Sequence, residues 1–91
     1  MQQRAKITII GMVQGVGFRY FTHKEANKLS LTGFVKNQYD GNVYCEVEGE
    51  RGLIEEFIKI IRIGPPWAKI SSVHVEWDKY KGDFTTFRVT Y

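Results

Sequence analysis

The segment Gln14-Gly15-Val16-Gly17-Phe18-Arg19 holds residue types suited to gripping an anion. Two glycines two apart let successive backbone N–H groups turn toward a common point. A helix starting near Phe18 adds unpaired amides and about half a positive charge. Arg19 then lies in the first helical turn, where the helix dipole favours acids. A cation set against that field points to an anion between them. The planar guanidinium can hold two oxygens of a phosphate or a carboxylate. A plain tight turn with a solvated arginine accounts for the same residues. The segment has no Gly-Lys-Ser/Thr, so it is not a nucleoside-triphosphate loop. Gly15-Val16-Gly17 also lacks the third glycine of a dinucleotide fingerprint.

Positioning these groups requires a strand before the loop and a helix after it. Lys6–Val13 nearly alternates and is rich in β-branched residues, as a strand requires. Phe18, Phe21, Thr22, Ala26 and Leu29 recur at helical spacing, and Gly33 is expected to end that helix. Phe34–Gln38 reads as the second strand, and Asp40-Gly41 as the hairpin turn after it. In the third strand Val43, Cys45 and Val47 are expected to face the core, with Tyr44, Glu46 and Glu48 on a solvated face. Leu53, Ile54, Phe57, Ile58 and Ile61 form the apolar stripe of a second helix, suited to the core or in part to an oligomer contact. Gly64-Pro65-Pro66 stops that helix. Val73, Val75 and Trp77 mark a fourth strand, and Phe87, Val89 and Tyr91 a fifth.

The order β-α-β-β-α-β plus an extra C-terminal strand predicts an α+β, ferredoxin-like split βαβ sandwich. Both helices should lie on one face of an antiparallel sheet. With the first strand running up, the loop after it and the turn after Asn37 fall at the same end, so Arg19 and Asn37 should share one neighbourhood. Asparagine beside a turn also commonly ties up backbone groups.

The remaining polar residues offer less. His23 and His74 have no ligand partner at short spacing. Cys45, the only cysteine, reads as a packed thiol, and Asp40 belongs to the turn. The 91 residues suit a single domain, residues 1–91. The start, Met-Gln-Gln-Arg-Ala-Lys, has no apolar signal region and no stretch could span a bilayer, so a cytoplasmic protein without a membrane partner is expected. Net charge is +3, from 13 basic and 10 acidic residues, and the basic ones are spread along the chain. That balance favours small anions. An RNA-binding sheet needs clustered basic and aromatic residues, whereas here glutamates flank Tyr44 and the RNA-recognition octapeptide is missing, so no nucleic-acid partner is expected.

Gly11-Met12-Val13-Gln14-Gly15-Val16-Gly17-Phe18-Arg19 resembles the first signature of the acylphosphatases. Gly33-Phe34-Val35-Lys36-Asn37, Asp40-Gly41-Asn42-Val43 and Glu48-Gly49 resemble the second. Gly64-Pro65-Pro66, the Val73-Val75-Trp77 strand and the chain length are also similar, so the resemblance covers essentially the whole chain. Phe34 and Lys36 stand where many relatives carry tryptophan and arginine. The resemblance implies hydrolysis of an acyl phosphate, a small-molecule substrate, to carboxylate and inorganic phosphate without metal or cofactor. It assigns phosphoryl binding to Arg19 and to the backbone N–H groups of Gly15, Val16, Gly17, Phe18 and Arg19, and water orientation to Asn37. Inorganic phosphate or sulfate should then compete with substrate. A domain that keeps the anion cradle without turnover is the alternative.

Overall fold

A computed structural model describes residues 1–15 and 17–91. Its elements are β1 (Gln2–Met12), α1 (Phe18–Lys28), β2 (Thr32–Asn37), β3 (Val43–Glu50), α2 (Arg51–Ile63), β4 (Lys69–Asp78) and β5 (Phe87–Thr90). The strands form one sheet in the order β4-β1-β3-β2-β5. The first four strands pair antiparallel, as expected. β5 lies parallel to β2 at the edge, with Val35 opposite Val89 and Lys36 opposite Thr90, so the whole sheet is mixed. This registry brings the ends of β1, β2 and β5 to one pole.

Strand alternation builds the core. Ala5, Ile7 and Ile9 of β1, Val35 of β2, and Val43, Cys45 and Val47 of β3 are fully buried on the helix-covered face. α2 adds Ile54, Phe57 and Ile61, and α1 adds Phe18, Thr22 and Ala26. Complete burial of each large side chain favours folding by about 1.5–3 kcal/mol. Burial also pushes the Cys45 thiol well above its usual pKa, with a smaller push from Glu46, which leaves it a packed and unreactive group.

Two expectations need correction. The first helix ends at Lys28, capped by Leu29, and Ser30 takes the left-handed conformation (φ 57°), a role expected of Gly33. Gly33 is instead inside β2, where a Cβ would collide with the Glu46 carbonyl of β3, so close strand approach requires the glycine. The acidic row on β3 is not a solvated face. Glu48 is 1% exposed, and Arg4, opposite it on β1, donates to it at 3.1 Å. The Lys81 and Asp83 amides donate to the same carboxylate at 2.7 and 3.2 Å, fastening the β4–β5 connection across this face.

No helix among the described residues is long and apolar enough to cross a membrane. The hairpin turn follows the sequence expectation. The Asn42 amide donates to Asp40 Oδ1 at 3.0 Å, which explains Asp40 as a turn residue.

Candidate active site

The loop between β1 and α1 is shaped by two left-handed glycines, Gly15 (φ 74°) and Gly17 (φ 77°). Open space surrounds a Cβ built at either position, so the backbone conformation, rather than crowding, favours glycine there. Val16, named above as part of the cradle, lies outside the described residues. Gly17 caps α1 without a side-chain hydrogen bond, and the first turn holds no acid. The helix start therefore keeps its amide donors and its positive dipole end free of an internal anion.

Gln14 fixes this loop sideways. Its Nε2 donates to the carbonyls of Gln38 (2.7 Å) and Asn42 (2.8 Å), the two residues that bracket the β2–β3 turn. The loop is thus tied to the hairpin that carries Asn37 at the end of β2. Arg19 and Asn37, on different elements, line one cleft of about 240 Å³ together with Gly15, Gly17, Val89 and Tyr91. The neighbourhood expected for Arg19 and Asn37 is therefore the one observed. Phe18 also borders the cleft, but its ring is 1% exposed and serves the core.

Arg19 is held from the other side by β5. Its Nη1 donates to the Thr90 carbonyl at 3.0 Å, and its guanidinium carbon lies 4.5 Å from the centre of the Tyr91 ring. Among the described residues it makes no ion pair. A guanidinium oriented by one carbonyl and one aromatic face keeps most of its five donors for an incoming oxyanion. The Asn37 Oδ1 atom is buried and has no hydrogen-bond partner among the described residues. Among the described residues no hydrogen bond ties this oxygen to the adjacent turn, which Asp40 closes instead.

No carboxylate side chain and no histidine is among the described residues lining this cleft. His23 instead lies 3.2 Å from Asn27 along α1. The described residues contain no cluster of three His, Cys, Asp or Glu side chains able to hold a metal. Donors arranged in this way can receive a compact, multiply charged anion and stabilise charge on its oxygens. The cleft has no side chain placed to act as a strong base.

Sequence reasoning placed Gln14 in the loop without its tethering role, and missed Thr90 and Tyr91 as parts of this site. Gln14 was visible as a polar residue beside the loop, but its two acceptors are backbone atoms on a distant turn. Thr90 and Tyr91 reach Arg19 only because β5 pairs parallel with β2, and strand periodicity carries no information about which edge a last strand joins.

The Acylphosphatase family model matches residues 5–89. An acylphosphatase from Moorella thermoacetica is 44% identical over 86 residues, which cover 94% of this chain and 91% of that protein. The crystal structure of acylphosphatase from Bacillus subtilis is similar with a TM-score of 0.94 and 35% identity, covering 100% of both chains. The structure of an acylphosphatase from Coxiella burnetii has a TM-score of 0.92 and 38% identity, covering 98% of this chain and 93% of that one.

Proposed function

The chain belongs to the acylphosphatase family, enzymes that hydrolyse acyl phosphates, and we propose that Arg19, the 15–19 loop amides and Asn37 carry out that reaction here without a metal or cofactor. The phosphoryl group sits in the cradle, with its oxygens on the Arg19 fork and on backbone N–H groups from Gly15 to Arg19, Val16 included. Asn37 holds the attacking water through an amide that both donates and accepts. The observation that carries this reading is the pairing, across one cleft, of a guanidinium with no ion-pair partner among the described residues and an asparagine whose buried oxygen has none either.

The chemistry suits these groups. The water oxygen forms a bond to phosphorus as the bond from phosphorus to the acyl oxygen breaks, and the electron pair leaves on the carboxylate. A carboxylate is a weak base, so no general acid is needed. The water proton passes to a phosphoryl oxygen, giving a carboxylate and dihydrogen phosphate with charge conserved. Negative charge spread over the phosphoryl oxygens in the transition state is met by fixed donors, so positioning and electrostatics supply the rate. Gln14 keeps cradle and hairpin in register, and Thr90 and Tyr91 keep Arg19 aimed into the cleft.

The same reading treats residues 1–91 as a single acylphosphatase-like domain. It expects inorganic phosphate or sulfate to compete with substrate. The direct test is hydrolysis of benzoyl phosphate in excess chelator by the wild type and by Arg19→Ala. Turnover that survives chelation and is lost in the variant supports the proposal. A rate that collapses with chelator, or that persists in Arg19→Ala, contradicts it.

A further inference from the structure

The cradle loop has different neighbours on its two sides because β1 lies between β4 and β3 in the sheet. On one side are the β2–β3 turn and the end of β5, which bring Asn37 and Tyr91. On the other side is the connection from α2 to β4, which carries Gly64, Pro65, Pro66 and Trp67. In displacement at phosphorus, the attacking and leaving oxygens stand roughly in line on opposite sides of the phosphoryl group. With water held on the Asn37 side, the acyl group must leave toward the α2–β4 connection.

A second groove, of about 280 Å³, is found on that side. It runs between α1 and the 64–67 segment, and it shares Gly17 and Tyr20 with the phosphate cleft. Its walls present two large rings to solvent: Tyr20 is 69% exposed and Trp67 61% exposed. Neither ring serves the core. Lys24 and Glu25 of α1 line the groove as well, and aromatic side chains bordering it can bind a planar apolar group by stacking. Resting on the division of roles proposed above, the geometry points to Tyr20 and Trp67 as the subsite for the acyl group, selecting substrates whose acyl part is a planar, apolar ring system.

The test compares kcat/KM for benzoyl phosphate and acetyl phosphate in the wild type, Tyr20→Ala, Trp67→Ala and Tyr39→Ala, the last on the Asn37 flank. Inhibition by inorganic phosphate, which has no acyl part, is measured beside them. The benzoyl-to-acetyl ratio should fall roughly three- to tenfold in Tyr20→Ala and in Trp67→Ala, mainly through KM for benzoyl phosphate. It should stay at the wild-type value in Tyr39→Ala, and phosphate inhibition should stay constant in Trp67→Ala and Tyr39→Ala; Tyr20 also borders the phosphate cleft, so Tyr20→Ala is read through the substrate ratio alone. An unaltered ratio in both groove variants overturns the subsite, as does a selective fall in Tyr39→Ala. Equal losses on both substrates together with weaker phosphate inhibition in Trp67→Ala also overturn it, because they mark damage to the cradle. A wild type that hydrolyses neither substrate removes the catalytic reading itself, a failure distinct from any change in the ratio.

Discussion

Arg4 stands near the start of β1 and Arg19 in the first turn of α1, and their surroundings differ in almost every respect. Arg4 is buried on the outer sheet face. Its guanidinium pairs with Glu46, Glu48 and Asp83 and lies 4.7 Å from the centre of the Phe84 ring. Arg19 has one backbone carbonyl and one aromatic ring as partners, and no carboxylate among the described residues. The first arginine has spent its charge on the fold: with Glu48 it pins the β4–β5 connection across the sheet. The second has its charge in reserve. A cation that the protein aims but does not neutralise is prepared for an anion from outside.

The comparison breaks most visibly if the two arginines are truncated in turn. Arg19→Ala should lower kcat/KM for an acyl phosphate by roughly a thousandfold or more, the scale of a lost phosphoryl-binding arginine, with the urea midpoint near the wild-type value. Arg4→Ala should do the reverse. Stripping one partner from a buried ionic cluster costs about 3–5 kcal/mol, read as a lower urea midpoint, while kcat per folded molecule stays near wild type. Loss of activity in Arg4→Ala at full folding, or loss of stability alone in Arg19→Ala, would erase the distinction.

Asn37→Ala sharpens the catalytic side. It should reduce kcat by roughly a hundredfold and change the phosphate inhibition constant far less, since the amide is assigned to water and not to the anion. Parallel losses in both constants would make Asn37 a structural residue of the β2 end.

The smallest effect concerns pH and the structural side. Burial pushes the Glu46 carboxyl up, but hydrogen bonds from Tyr44 and Arg4 outweigh it and hold the group below the usual carboxylate range. A carboxyl depressed in the folded state adds stability that is complete above its unfolded pKa of about 4.3 and is lost as pH falls through the folded value. The wild-type urea midpoint should therefore fall more steeply on acidification below about pH 5 than that of Glu46→Gln. Identical slopes would remove Glu46 from the charge cluster.

How far these two regions could be read from the sequence differs for a physical reason. That Arg19 and Asn37 line one cleft was legible because it depends on local chain geometry, two left-handed glycines opening a helix and a strand end beside a turn. α2 and β1 were legible by period. The Arg4 cluster was not. Glu46 and Glu48 alternate with Val43, Cys45 and Val47 and so read as solvent-facing, and only the β1–β3 register sets Arg4 opposite Glu48. Burial of that pair then depends on the 79–86 segment lying over it, a tertiary event without periodicity. The clasp of Thr90 and Tyr91 on Arg19 was hidden for the same reason, since it follows from the edge that β5 joins.

The central claim is that a phosphoryl group is gripped by the Arg19 fork and the amides at the start of α1. Titration of the ¹⁵N-labelled protein with inorganic phosphate, followed through amide and arginine side-chain resonances, tests it most directly. Saturable shifts should concentrate at residues 14–20, at Asn37 and at the Arg19 guanidinium, and should vanish in Arg19→Ala. Shifts centred elsewhere on the surface, or unaltered in the variant, would contradict the account.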